Sequence, residues 1–308
     1  HLVVGLDVGG TKTHAALFGS QLSEVASLTE PTKVGNSETV VASVLGTLAQ
    51  ITEGYDPSDF IGVGVGIPGL VDRDAGEVRQ AVNLGIAASP VPIARLVSEQ
   101  CRIPVVVDND VNMAALGAFE VIRAASPVRD LAYLSIGTGL AAGIVLDGRV
   151  HRGARGVAGE IGHIPVDPNG PRCECGLTGC LETLASGSAI SRRWPTPPGQ
   201  SSIGSLLDAA QGGDGLARPI LAEVSDHLAH AVYLLALTYD VDLIVIGGGV
   251  SESGGPLLDQ IKAGLGRLAE QSPLAAGLDL VNRVILAPAG HLGALGSAVS
   301  AIAALGLR

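Results

Sequence analysis

Four residues of one short segment have the types and spacing of a metal site. His163 is followed by Cys173, Cys175 and Cys180, giving His-x9-Cys-x-Cys-x4-Cys. One imidazole and three thiolates suit a closed, tetrahedral, structural zinc site that shapes the loop around it and activates no water. Of the four cysteines in the chain, only Cys101 lies outside the group. In a reducing compartment such clustering favours a metal over a disulfide. Unrelated core cysteines are the competing reading, and three thiols within eight residues count against it. Glu160 stands three residues before His163, and Glu182 two residues after Cys180. A bound metal would pin both carboxylates, groups that accept hydrogen bonds from sugar hydroxyls. Glutamates are ordinarily solvated surface groups, but attachment to the metal loop sets these two apart.

Further groups stand where apolar runs end. Asp108-Asn109-Asp110 follows Val105–Val107. Ligands of α/β folds bind at the carboxyl ends of strands, and a carboxylate there can take the proton of an attacking hydroxyl. Position alone reads Asp110 first as a cap for the following helix. The run Asp7-Val8-Gly9-Gly10-Thr11-Lys12-Thr13 bends at two glycines. Backbone N–H groups in such a turn cradle phosphate oxygens, Thr11 adds a hydroxyl, and Asp7 could hold water on a magnesium ion. It lacks the Gly-Lys-Ser/Thr ending of a P-loop, and an ordinary hairpin is the alternative. Gly137-Thr138-Gly139 is a second turn of the same kind. Gly247-Gly248-Gly249 ends another apolar run, where a flat purine could approach the backbone or a helix could simply begin. Gly64-Val65-Gly66-Ile67-Pro68-Gly69 spells a dinucleotide fingerprint. Pro68-Gly69 should turn the chain rather than open a long helix, so no nicotinamide cofactor is expected and the segment reads as a strand end and loop lining a cleft.

The elements that must position these groups follow from apolar spacing. Leu2–Leu6 and His14–Phe18 read as strands around the first glycine turn, and Leu131–Ile136 and Leu140–Leu146 as strands around the second. Phe60–Ile67, Val105–Val107 and Val241–Ile246 read as buried strands. Val40–Ile51, Val91–Gln100, Val111–Ala124, Pro219–Leu237 and Ala294–Leu307 carry helical spacing. The unit of strand, glycine turn, strand opens each half, a repeat at the level of fold. Two such units facing each other would bring both turns to one cleft. Alternating strands and helices imply an α/β fold.

Composition narrows the function. At 308 residues the chain suits two domains, and 47% hydrophobic residues can fill their cores. A net charge of -11 with only 19 Lys and Arg argues against nucleic-acid binding. No signal peptide is apparent. The longest apolar candidate for a membrane span, Leu131–Leu146, is interrupted by Ser135, Thr138 and glycines. A cytoplasmic protein without membrane contacts is the expectation. The chain starts at His1 without Met, which leaves a preceding segment open.

Gly159-Glu160-Ile161-Gly162-His163, with Cys173-Glu174-Cys175-Gly176-Leu177-Thr178-Gly179-Cys180-Leu181-Glu182, resembles the signature of the ROK family of repressors, open reading frames and sugar kinases. The Asp7–Thr13 run, Asn109-Asp110, Gly137–Gly139 and Gly247–Gly249 fall in the family's order, so the resemblance spans nearly the whole chain. It implies a two-domain actin/hexokinase-like (ribonuclease H-like) α/β fold with the sugar in an interdomain cleft. Residues 1–118 with 295–308 would form the N-terminal domain and 119–294 the C-terminal one. It further implies an ATP-dependent kinase acting on a hexose, glucose or an N-acetylhexosamine, at the 6-hydroxyl. Asp110 would match the catalytic base, and Asn83, Asn109, Glu160, His163 and Glu182 the sugar contacts. His163 would set one ring nitrogen on zinc and the other toward the sugar. Both glycine turns would hold the ATP phosphates with magnesium, and Gly247–Gly249 would lie near adenosine. A homodimer is the family's common state. Many glucokinases of the family carry Trp where this chain has Ile86. The stretches 108–112 and 152–159 also look like those of the family's repressors. The alternative is therefore the sugar-sensing part of a repressor, whose helix-turn-helix would precede the first glycine turn.

Overall fold

Each half of the chain opens with two strands bent back at a glycine turn. The structure is a computed structural model that describes residues 1–197, 200–249 and 254–306. In chain order the strands are β1 (Leu2–Val8), β2 (Lys12–Phe18), β3 (Glu24–Pro31), β4 (Phe60–Ile67), β5 (Leu70–Asp72), β6 (Glu77–Arg79), β7 (Val105–Asn109), β8 (Leu131–Ile136), β9 (Leu140–Leu146), β10 (Arg149–Val150), β11 (Leu243–Gly247) and β12 (Val284–Leu286). They fall into two compact units. The first comprises 1–127, 149–158 and 288–308, and the second 128–148 and 159–287.

The first unit has a sheet of order β3-β2-β1-β4-β7. Strand β1 runs antiparallel to β2 and parallel to β4, and β4 runs parallel to β7. Val4, Leu6, Val63, Val65 and Val107 are fully or almost fully buried, as residues of central strands covered on both faces should be. One face carries the helices Ser37–Ile51 and Ile93–Cys101. Against the other lies Leu292–Ala304, with Asp110–Arg123 packed on it.

That second face explains the glycines of β1 and β4. A Cβ placed on Gly5 would stand 1.8 Å from the Ala294 carbonyl oxygen, and one on Gly64 would stand 1.8 Å from that of Ser297. The two helices touch in the same way, Gly296 against the Met113 carbonyl at 1.8 Å and Gly117 against that of Leu292 at 2.0 Å. Ser297 Oγ donates to the Leu6 carbonyl at 3.0 Å and the Gly293 carbonyl at 2.8 Å, tying helix to strand. Gly64 and Gly66 therefore make room for a helix. Both helices lie wholly in this unit, past residue 118 and before residue 295, where the sequence reading divides the chain.

The second unit repeats the pattern with its strands β9-β8-β11-β12. Strand β8 runs antiparallel to β9 and parallel to β11, which runs parallel to β12. This is the order and sense of β2-β1-β4-β7, so the repeat expected from the two glycine turns is present in the topology. Its core gathers Leu134, Ile136, Ile144, Ile244 and Ile246 with Leu221, Leu228 and Leu235 of the helix Ala217–Tyr239. That helix is 23 residues long and apolar enough to cross a membrane. The sequence reading, which took Leu131–Leu146 as the longest candidate, passed over it. Half of its most apolar window is buried inside the unit, as in a core helix.

Candidate active site and metal loop

In the first unit the glycine turn joins β1 to β2. Gly9 N–H donates to the Lys12 carbonyl at 2.9 Å, and Thr32 N–H to the Thr11 carbonyl at 3.0 Å. Gly10, Thr11 and Lys12 are exposed. Thr13 is fully buried, with its hydroxyl 2.8 Å from that of Thr32, so its side chain is committed to the sheet and only its backbone faces the turn. Asn83 is exposed on the short 3-10 turn Val82–Leu84, and its Cβ lies 3.5 Å from where a Cβ on Gly10 would be. The structure thus sets Asn83 against the turn.

Asp7, one residue before the end of β1, sets its carboxylate against Gly293, at the start of the helix Leu292–Ala304. Desolvation raises its pKa from 3.8 to about 6, against the lowering pull of Lys12 and His291. A hydrated metal ion beside this carboxyl would favour its charged form. Opposite Asp7, His14 stacks on His291 with ring centroids 3.4 Å apart. Burial first, then the charge of His291, pushes the His14 pKa down to about 4. Nothing in the residue pattern marked this pair, which sheet pairing and the C-terminal helix bring together.

The run at the end of β7 divides its labour. Asn109 caps Asp110–Arg123, its Oδ1 accepting from Val111 N at 2.9 Å and Asn112 N at 3.1 Å. Its Nδ2 donates to the Gly69 carbonyl at 3.2 Å. The cap first assigned to Asp110 thus belongs to Asn109. Asp110 is the first residue of the helix, half-buried, with Oδ1 accepting from its neighbour Val111 N at 2.9 Å. Asp108 is buried and meets two arginines. Arg152 donates to its Oδ2 through Nε at 2.9 Å and also through Nη2, while Arg73 Nε lies 3.6 Å away. Asp108 Oδ1 accepts the Asn109 N–H. Strand end, β5 loop and the 149–158 stretch are thereby joined one residue before the Asn109-Asp110 pair. The sequence reading missed Arg73 and Arg152, since neither is near Asp108 in the chain.

In the second unit the candidate metal ligands come together. His163 Nδ1 is 3.6 Å from Cys173 Sγ, and Cys175 Sγ is 3.6 Å from Cys180 Sγ. The ligand atoms of His163, Cys173 and Cys175 all lie within 4.8 Å of one another. Tetrahedral bonds of about 2.3 Å place neighbouring sulfurs about 3.8 Å apart, so the spacing fits a zinc ion. Burial, then the adjacent thiols, pushes the Cys180 thiol up, the condition a bound cation reverses. With Nδ1 facing the sulfurs, Nε2 of His163 is left for a second partner. Glu160 is exposed. Its pKa is raised, chiefly by desolvation and further by Glu182, while His163 lowers it.

Glu182, on the helix Leu181–Ala185, is half-buried and reaches the second glycine turn. Its Oε2 accepts from Leu140 N at 3.0 Å. Gly137, Thr138 and Gly249 line one pocket of about 450 Å³ together with Gly187, Ser188, Ser191, Arg192, Ser201 and Ser202. The sequence reading did not single out the last six, although Ser186-Gly187-Ser188 directly follows the Glu182 helix. Gly248 takes a left-handed φ of 83°. Gly247 is buried in β11, and a Cβ there would stand 2.0 Å from the Tyr133 hydroxyl. Tyr133 thus explains Gly247, and of the three glycines only Gly249 lines the pocket.

The sequence matches the ROK family over residues 3–300. The chain belongs to the ROK family. It is 35% identical over 279 residues to a protein named glucokinase from Halalkalibacterium halodurans, covering 84% of this chain and 83% of that one. It is 29% identical over 278 residues to a putative xylose repressor of a Caldicellulosiruptor species, covering 85% of this chain and 69% of that one. Among solved structures, a ROK family glucokinase from Streptomyces griseus in complex with glucose and AMPPNP superposes with a TM-score of 0.78 at 28% identity. That match covers 97% of this chain and 99% of the other. The two α/β units thus have the actin-like kinase fold of this ROK relative.

Proposed function

We propose that this ROK protein is an ATP-dependent sugar kinase acting on a hexose, glucose or an N-acetylhexosamine, at its 6-hydroxyl. The carrying observation is that both units keep a glycine turn. Among the described residues, the one in the second unit opens on a pocket lined by small residues, serines and one arginine. Such a surface suits the phosphates of a nucleotide, for which a pure sensor has no need. The family match and the glucokinase relative support the same reading.

In this reading Asp110 takes the proton of the sugar hydroxyl as its oxygen bonds to the γ-phosphorus and the bond to the β,γ-bridging oxygen breaks. Asn83, Glu160, His163 and Glu182 hold and orient the sugar. Asn109, whose side chain caps the helix, orients Asp110 at its first turn. Gly9–Lys12 and Gly137–Gly139 present backbone N–H groups to the phosphates. Asp7 would help to hold magnesium, which would supply positive charge at the phosphates. His163, Cys173, Cys175 and Cys180 would hold zinc, which would fix the loop that carries both glutamates.

ADP release with ATP and magnesium across glucose, mannose, N-acetylglucosamine and N-acetylmannosamine tests this. One sugar is expected to be turned over, with a loss of about 10² to 10⁴ in Asp110→Asn. A sugar that raises the melting temperature without any turnover would instead support a sensor, the reading favoured by likeness to the xylose repressor.

A further inference from the structure

The segment after the metal loop is fastened to the glycine turn at three points. Glu182 Oε2 accepts from Leu140 N at 3.0 Å, Gly187 N–H donates to the Gly137 carbonyl at 2.8 Å, and Ser188 N–H to the Thr138 carbonyl at 3.3 Å. Only the first uses a side chain. The fit around that carboxylate is tight. A Cβ on Gly139 would stand 2.5 Å from Glu182 Oε2, and one on Gly162 would stand 3.3 Å from Glu182 Cβ. Glu182 itself follows Cys180 by two residues. Ser186 is fully buried and caps the next helix, Gly187–Arg193, through Ala189 N at 3.2 Å. That helix supplies Ser188, Ser191 and Arg192 to the pocket.

We propose that Glu182 is a positioning residue for the nucleotide, its carboxylate holding the Gly137–Leu140 turn in the shape that receives ATP. The inference rests on the kinase reading and adds a second duty to a group expected to meet the sugar. One oxygen is taken by the Leu140 amide, and among the described residues the other accepts no hydrogen bond. A hydrogen bond from a backbone amide to a carboxylate is of the stronger, charge-assisted kind. Losing it frees a turn whose glycines resist few other conformations. The same carboxylate then serves both substrates. A sugar that draws it away would loosen the turn, and one that leaves it in place would find the turn already formed.

Nucleotide binding without sugar separates this duty from sugar contact. The Kd of the zinc-replete protein for AMPPNP with magnesium is measured by titration calorimetry for wild type, Glu182→Gln, Glu182→Ala and Gly139→Ala. Gln keeps a carbonyl oxygen for the Leu140 amide and should stay within about threefold. Ala removes the acceptor and should weaken binding roughly tenfold or more. Gly139→Ala leaves Glu182 in the chain but displaces its carboxylate, and should weaken binding similarly. Melting temperatures confirm that each variant is folded, and Gly139→Ala carries the test if Glu182→Ala is not. Equal Kd values for wild type and the folded variants would overturn the proposal while leaving the kinase reading intact. A wild-type protein that binds no nucleotide would overturn both.

Discussion

Asp7 keeps a carboxyl where burial resists its charge. Its pKa rises from 3.8 to about 6, so across that window the folded chain holds a proton that the unfolded chain has released. Stability from this group is therefore greatest at low pH and falls as pH rises through about 6. Asp7→Asn is expected to raise the melting temperature at pH 8, by a free energy of at most about 3 kcal/mol, and to change little at pH 4. Melting curves over that range check it. Kinase activity should fall in the same variant if Asp7 orders the water around magnesium. The clustering of His163, Cys173, Cys175 and Cys180 was legible from spacing alone, because these candidate ligands fall in one short stretch of chain. The partners of Asp108 were not. Arg73 and Arg152 lie far along the chain, and only the fold sets them beside the strand end.

At the scale of elements, glycines decide where helices sit. Gly5 and Gly64 let the helix Leu292–Ala304 rest on backbone, and Gly117 and Gly296 do the same between two helices. Gly64→Val would drive a branched side chain into the Ser297 carbonyl, which belongs to a helix fixed on its far side by Gly296. A loss above about 4 kcal/mol, or failure to fold, is expected in denaturant unfolding, whereas Gly46→Ala, with nothing within 4 Å, should be tolerated. The sequence reading found most strands and long helices, since buried parallel strands show as unbroken apolar runs. It passed over β3, which is mostly exposed and lacks such a run. It read Gly64–Gly69 as a strand end and loop, as the structure has it, but gave no reason for Gly64 and Gly66, because the helix that packs on them lies more than two hundred residues later.

For the whole molecule, a metal on the 163–180 loop is expected to anchor the second unit. Its single tryptophan, Trp194, donates to Ser205 Oγ at 3.1 Å and packs on that unit's core. Its fluorescence reports the state of the second unit. Removing zinc with a chelator is expected to lower the thermal transition seen by Trp194, and Cys180→Ser should reproduce the shift without chelator. An unchanged transition after metal loss, verified by elemental analysis, would rule out a structural metal.

By itself the sequence determined the kinds of chemistry and the repeated plan. Ligand spacing, glycine turns and apolar runs are local, and each is constrained by bond lengths and backbone geometry within a few residues. Only the tertiary structure decided which local groups act together. It gave the helix cap to Asn109, the arginines to Asp108, and the Leu140 amide to Glu182. It also set Gly247 against Tyr133. Those pairings depend on packing between segments distant in the chain, where burial and hydrogen-bond satisfaction select one arrangement that no short window of sequence contains.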